Sequence, residues 1–270
     1  MALPSYHNHT VLCDAKNTAE EMVLAAIKAG MPELGFSAHA RMAADPDWCL
    51  TAEGEREYFE TVTALKKKYE GKIKIYLGIE QDFYGEPIAY PYDYVIGSVH
   101  ALDVGGGKLI DVDLDPVDVR KNVEIYFGGD PYLYVEHFYE TVSKVYEKTK
   151  CDIIGHLDLV TKFLDRDPLF SEEHHRYIAA REGAIATLLK APAVFEINTG
   201  GIYRGYRKVT YPNFETVTEL YNRGAKFVIN ADSHSTDSID FMLCDVASEL
   251  EKRSIPHITE LSELLKITKK

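Results

Sequence analysis

Apolar and polar positions along the chain follow two regimes. Short apolar runs of strand length alternate with longer stretches whose apolar positions recur at helical spacing. The short runs predict strands over 33–38, 72–79, 93–99, 151–155, 194–198 and 226–231, and 5–9 is a candidate seventh. Between them, Thr18-Ala-Glu-Glu21 is a capping box, in which hydroxyl and carboxylate each take an orphan backbone N–H. The helix that follows over 20–30 stops at Gly30, a residue suited to a helix C-terminus. Further helices are predicted over 51–69, 131–150, 171–190, 212–223 and 240–252. Strand–helix alternation of this kind predicts a parallel sheet covered by helices. With no linker-like segment and no internal repeat, the expectation is one domain over 1–270, an α/β barrel closed or nearly so.

Composition narrows the class. Apolar residues make up 46% of the 270, ample for a large core. No apolar run approaches the roughly 18 residues that span a bilayer, so no membrane partner is expected. The N-terminus lacks a basic segment followed by an apolar stretch. Cys13, Cys49, Cys151 and Cys244 are scattered without a C-x-x-C pair, which reads as reduced thiols in a cytoplasmic protein. A formal charge of −13 repels phosphate backbones and argues against nucleic acid as a partner, although bound divalent cations would offset part of it locally. A small phosphorylated or zwitterionic substrate remains easy to accept.

The candidate chemistry lies at the strand ends. His7 and His9 fall on the first candidate strand; His39, His100, His156 and His234 each follow a later one. Glu80 and Asp232 end strands in the same way. In a parallel α/β barrel all strand C-termini open on one face, so residues distant in sequence converge there. Residues i and i+2 share a strand face, so His7 with His9, and Asp232 with His234, are able to point inward together. One histidine at a strand end is ordinarily just hydrogen-bonded or exposed. A whole set so placed would repel or stay unsatisfied unless a metal joined it. Adding Asp14 gives nine candidates, enough for two or three metals, with Glu80 as the natural bridge. His137, His174, His175 and His257 lie in helical or late segments and are read as surface residues.

These words, H-x-H near the start, S-A-H, G-x-E, S-V-H, G-H and D-S-H, resemble the PHP family, named for polymerase and histidinol phosphatase domains. The resemblance runs from His7 to His234. Y-H-N-H-T-V-L-C-D, L-G-F-S-A-H-A, G-H-L-D-L-V-T-K-F and E-I-N-T-G-G are most similar to its stand-alone L-histidinol-phosphate phosphatases. The resemblance implies a distorted (β/α)7 TIM-like barrel with a trinuclear centre that hydrolyses a phosphate monoester. It implies His7, His9, Glu80 and Asp232 on one metal, Glu80, His100 and His156 on a second, and Asp14, His39 and His234 on a third. Two departures stand out. Many PHP proteins have histidine where Asp14 stands, and T-D-H where this chain has S-A-H. An aspartate oxygen is still a competent ligand, and the native ion is open among Zn, Mn and Fe.

A phosphate dianion repels hydroxide, so clustered cations are expected both to clamp the phosphoryl oxygens and to supply a hydroxide shared by two metals. Asp232, His234 or a metal-bound water is expected to protonate the leaving group. Lys162, Arg204 and Arg207 are the candidate grips for phosphate, Arg204 foremost, because T-G-G-I-Y-R-G-Y-R-K follows a strand. Trp48, the one tryptophan, is a candidate lid over an imidazole. The Gly-rich stretch after S-V-H lacks the P-loop ending and reads as a flexible turn. Competing readings are a PHP phosphoesterase acting on nucleotides or nucleic-acid ends, and a non-catalytic metal-binding module.

Overall fold

The computed structural model describes residues 2–43 and 47–269. Its elements run α1 (Ala19–Ala29), β1 (Glu33–Phe36), α2 (Ala52–Lys68), β2 (Lys74–Asp82), β3 (Tyr94–Ser98), β4 (Ala101–Asp103) and β5 (Leu109–Asp111). They continue through α3 (Pro116–Tyr126), α4 (Pro131–Ser143), α5 (Val145–Thr149), β6 (Ile153–Ile154), α6 (His175–Leu188), β7 (Val194–Asn198) and α7 (Gly200–Tyr203). The last are α8 (Phe214–Asn222), β8 (Phe227–Asn230), α9 (Leu243–Lys252) and α10 (Leu261–Thr268). All adjacent pairs of the main sheet, β1-β2-β3-β6-β7-β8, are parallel.

Segment 5–9 joins the two edges of that sheet. Ser5 bridges Leu34 of β1, and Asn8 bridges Ser233 just past β8. Gly35 N–H donates to the Ser5 carbonyl at 2.9 Å, and His9 N–H to the Ser233 carbonyl at 2.8 Å. The result is the strongly curled parallel α/β sheet of a distorted (β/α)7 TIM-like barrel, as expected.

The period of two along each strand sorts residues to two faces. Outward positions such as Ile75, Leu77, Ile79, Phe195, Ile197, Phe227 and Ile229 join the core beneath the helices. Inward positions change character along the strand. Tyr94, Ile96, Val194 and Val228 form an apolar floor with Tyr6, and α10 caps it through Leu261 and Leu264. Further along come Glu80, Ser98, Glu196, Asn198 and Asn230, all buried. The interior is therefore apolar at the start of the strands and polar at their carboxyl ends. Gly35 and Gly78 make the floor possible, because a Cβ at either would collide with the inward Tyr94 side chain.

Local signals explain the element boundaries. Both halves of the Thr18–Glu21 capping box form, and Gly30 closes α1 with φ of 74°. The helix expected over 171–190 begins only at His175, because His174, not Ser171, accepts the first-turn N–H. Asn213 caps α8 in the same way, which trims the helix expected over 212–223. The helix expected over 131–150 is divided at Lys144, whose N–H turns back to the Thr141 and Val142 carbonyls. The stretch read as a flexible turn is the β4–β5 hairpin, with Gly105, Gly106 and Gly107 all at positive φ. Three of the histidines read as surface residues are half-buried. His137 bonds the Asp103 carbonyl, His174 stacks on Tyr132, and His257 lines a cleft with Leu3 and Ala247. No helix among the described residues is long and apolar enough to cross a membrane.

Candidate metal centre

Glu80 stands at the centre of the polar end of the barrel. Its Oε2 lies 3.0 Å from His7 Nε2, 3.5 Å from His9 Nε2 and 3.1 Å from His39 Nδ1. Its Oε1 lies 2.9 Å from His156 Nε2 and 3.6 Å from His100 Nε2, and accepts the Ser98 hydroxyl at 2.6 Å. Asp232 reaches the same place from past β8, its Oδ1 3.5 Å from His9 Nε2 and 3.7 Å from His7 Nε2. Asp232 adopts φ of 49°, a left-handed conformation that aspartate tolerates better than most residues. Asp14, the most exposed of the set, comes within 3.1 Å of His234 Nε2 and 3.7 Å of both His39 Nε2 and His9 Nδ1.

All nine sequence candidates thus converge. Their ligand atoms fall into four overlapping groups close enough to hold an ion: His9, Asp14, His39 and His234; His7, Glu80 and His156; His7, His9 and Asp232; and His39, Glu80 and His100. His156 shares a group with His7, whereas the family pattern pairs it with His100.

Several buried atoms here want a partner that the protein does not supply. His7 Nε2, His9 Nε2 and Glu80 Oε2 are buried and make no hydrogen bond. An orphaned buried polar atom is costly, and cations with N and O ligands would satisfy them. Burial and the neighbouring His234 and His39 push the His9 pKa down to about 3, leaving a neutral imidazole competent to ligate. Burial alone would raise the Glu80 carboxyl, yet the imidazoles of His7, His39 and His100 hold it well below the usual carboxylate range. For Asp232 burial is likewise outweighed, here by Arg204 and His7. The donor set fits divalent cations.

An open cavity of about 370 Å³ lies over this cluster. Trp48 stands at its edge, 4.9 Å from the His39 ring centroid in an edge-on arrangement and 5.4 Å from His100. Arg204 lines the cavity, with one guanidinium nitrogen 2.8 Å from Asp232 Oδ2 and the other donating to the Asp232 carbonyl at 2.9 Å. Gly200 permits that approach, since a Cβ there would press on both side chains. Lys162 also reaches the cavity and bonds Asp113 through its carbonyl at 2.6 Å and its carboxylate at 2.9 Å. Arg207 is not brought to the mouth. Its buried guanidinium is taken by Glu172 at 2.9 Å and Asp165 at 3.6 Å, because the short α7 turn sends residues three apart to different surroundings.

Some residues around the cluster were missed by sequence reasoning. Asp82 accepts the His100 backbone N–H at 2.7 Å and sits 3.3 Å from His100 Nδ1. Its position two residues past Glu80 on one strand was the available signal. Glu196 touches His7 from below, and the cue was a single charge inside V-F-E-I-N. Asp111, Asp113 and the exposed Lys16 line the cavity mouth. They come from the unforeseen hairpin and from a loop without periodicity.

A model of the PHP domain matches residues 5–200. A relative from Deinococcus radiodurans, named probable histidinol-phosphatase, is 31% identical over 257 residues, covering 90% of this chain and 91% of the relative. The histidinol-phosphatase of Bacillus subtilis is 24% identical over 261 residues, covering 87% of this chain and 94% of that protein. Among solved structures, a histidinol phosphate phosphatase from Lactococcus lactis, complexed with Zn, L-histidinol and phosphate, superposes with a TM-score of 0.72 at 19% identity. The match covers 95% of both chains.

Proposed function

The chain belongs to the PHP domain family, and from that premise we propose that it is a metal-dependent phosphoesterase that converts L-histidinol phosphate to L-histidinol and phosphate in histidine biosynthesis. The observation that carries the reading is the convergence of nine metal-competent side chains around Glu80, with orphaned buried atoms, beneath a cavity that Arg204 and Lys162 line. The choice of substrate leans on relatives that bear the name histidinol-phosphatase over most of the chain.

Two or three divalent ions, Zn, Mn or Fe, bound by these residues would neutralise phosphoryl oxygens and make a nucleophile available near neutral pH. The protein supplies the rest. Glu80 is placed to be shared between groups, since its two oxygens face different imidazoles. Arg204 is held in a fixed pose by Asp232 and presents a delocalised cation to a phosphate oxygen. Lys162 offers a second positive charge along the same cavity. His234, at the mouth and 3.5 Å from Asp232 Oδ1, is in place to deliver a proton to the departing alkoxide. Trp48 covers the His39 side of the opening and limits access of bulk water.

Steady-state kinetics on a panel of phosphomonoesters tests the assignment. Histidinol phosphate is expected to give the highest kcat/KM, well above nucleotides and simple aryl phosphates. Equal or better turnover of a nucleotide would overturn the substrate while leaving the metal centre standing.

A further inference from the structure

Glu196 occupies the middle of β7, one inward layer below the cluster, and is fully buried. It belongs to none of the groups whose ligand atoms are close enough to hold an ion. Its Oε1 meets His7 Nδ1 at 2.6 Å and accepts from Asn230 Nδ2 at 2.9 Å. Its Oε2 accepts the backbone N–H of His156 at 2.8 Å and Asn198 Nδ2 at 3.1 Å. A carboxylate offers about four acceptor sites and no donor, so this one is saturated. His7 must therefore donate from Nδ1, which leaves the Nε2 lone pair facing Glu80 and Asp232. Asn198 carries the same network onward by donating to Asp232 Oδ2 at 3.2 Å.

We propose that Glu196 is a positioning residue that locks His7 in its Nδ1–H tautomer and fixes the backbone of His156, so that the two inner ion-holding groups depend on one buried carboxylate. Those groups are His7, Glu80 and His156, and His7, His9 and Asp232. The outer group of His9, Asp14, His39 and His234 has no hydrogen bond to Glu196 and shares only His9 with the inner pair. Buried carboxylates behind ligating histidines commonly set tautomer and ring orientation in this way. A glutamine of the same shape cannot replace Glu196. Its amide NH2 would either oppose the His156 N–H and Asn198, or face His7 Nδ1 and force the proton onto Nε2.

The inference rests on the metal-holding part of the proposed function and is independent of the substrate. Metal-loaded wild type and Glu196→Gln are dialysed against a graded chelator series, and the ions retained per chain are counted. The variant is expected to release its inner ions at about 10–100-fold lower chelator than wild type and to keep the outer one. Release in parallel with wild type, or loss of the outer ion first, would overturn the proposal. Should Glu196→Gln fail to fold, ring-nitrogen NMR of the wild-type holoprotein decides. His7 is expected to carry a protected Nδ1–H, and a proton on Nε2 instead would refute the assignment. Turnover is not read at any point, so a failed substrate assignment stays distinguishable from a failed role for Glu196.

Discussion

Glu80 has imidazole nitrogens of five histidines within 3.6 Å of its carboxylate, more than any other carboxylate among the described residues. Glu80→Gln keeps the volume and removes the charge, and kcat/KM should fall at least about a thousandfold, or about 4 kcal/mol of transition-state stabilisation. Near-normal activity in that variant would contradict the shared-ligand role. Arg204 and Arg207 make a sharper pair, because three residues separate them and the structure gives them different surroundings. Arg204→Ala should reduce kcat/KM by about a hundredfold, whatever stability is lost by freeing Asp232. Arg207→Ala strands Glu172 and should cost about 1–3 kcal/mol of stability with kcat/KM nearly intact. Reversed outcomes in kinetics and thermal melts would reassign the two. The ligand set was legible in the sequence because strand ends are marked by apolar runs. The fate of Arg207 was not, because it depends on a four-residue helix and on where Glu172 lies.

At the scale of elements, the parallel strands were readable and the pieces between β3 and β6 were not. Val194–Asn198 falls where the apolar run predicted it, and the Thr18 box and Gly30 stop bracket α1 as their chemistry requires. The β4–β5 hairpin escaped because its strands have three residues each, too few to show alternation, and its glycines read equally well as a loop. That hairpin matters to the site, since it carries Asp111 to the cavity and starts next to His100. Inward glycines deserve weight that periodicity alone does not assign. Gly78→Ala would drive a methyl into the Tyr94 ring, and overpacking of this kind costs about 1–3 kcal/mol. Thr18→Ala, at an exposed cap, should cost about 1 kcal/mol. A chemical-denaturation series that ranks the cap loss above the glycine change would put the Tyr94 floor in question.

For the whole molecule, the two ends of the barrel are governed by different charges. At the closed end Glu33 accepts Tyr6 Oη at 2.6 Å, Leu261 N–H at 3.0 Å and Lys74 Nζ at 2.9 Å, tying α10 and segment 5–9 to β1. Burial raises its carboxyl pKa, but these donors outweigh burial and hold it below the ordinary 4.5. A depressed folded-state pKa stabilises the protein above the unfolded value and loses that stabilisation as pH falls through the folded one. Wild type should therefore lose more stability than Glu33→Gln as pH drops below 4.5, and parallel acid profiles would refute the assignment. At the open end, buried carboxylates and imidazoles with orphaned ring nitrogens call for cations, and the family match, the curled sheet and the cavity all meet there. The most direct test is to strip the protein with chelator and titrate Zn, Mn or Fe back while following histidinol phosphate hydrolysis and the ions bound per chain. The account predicts an inactive stripped protein that regains turnover only as two or more ions bind per chain. Full activity in the stripped protein, or saturation with fewer than two ions, would contradict it.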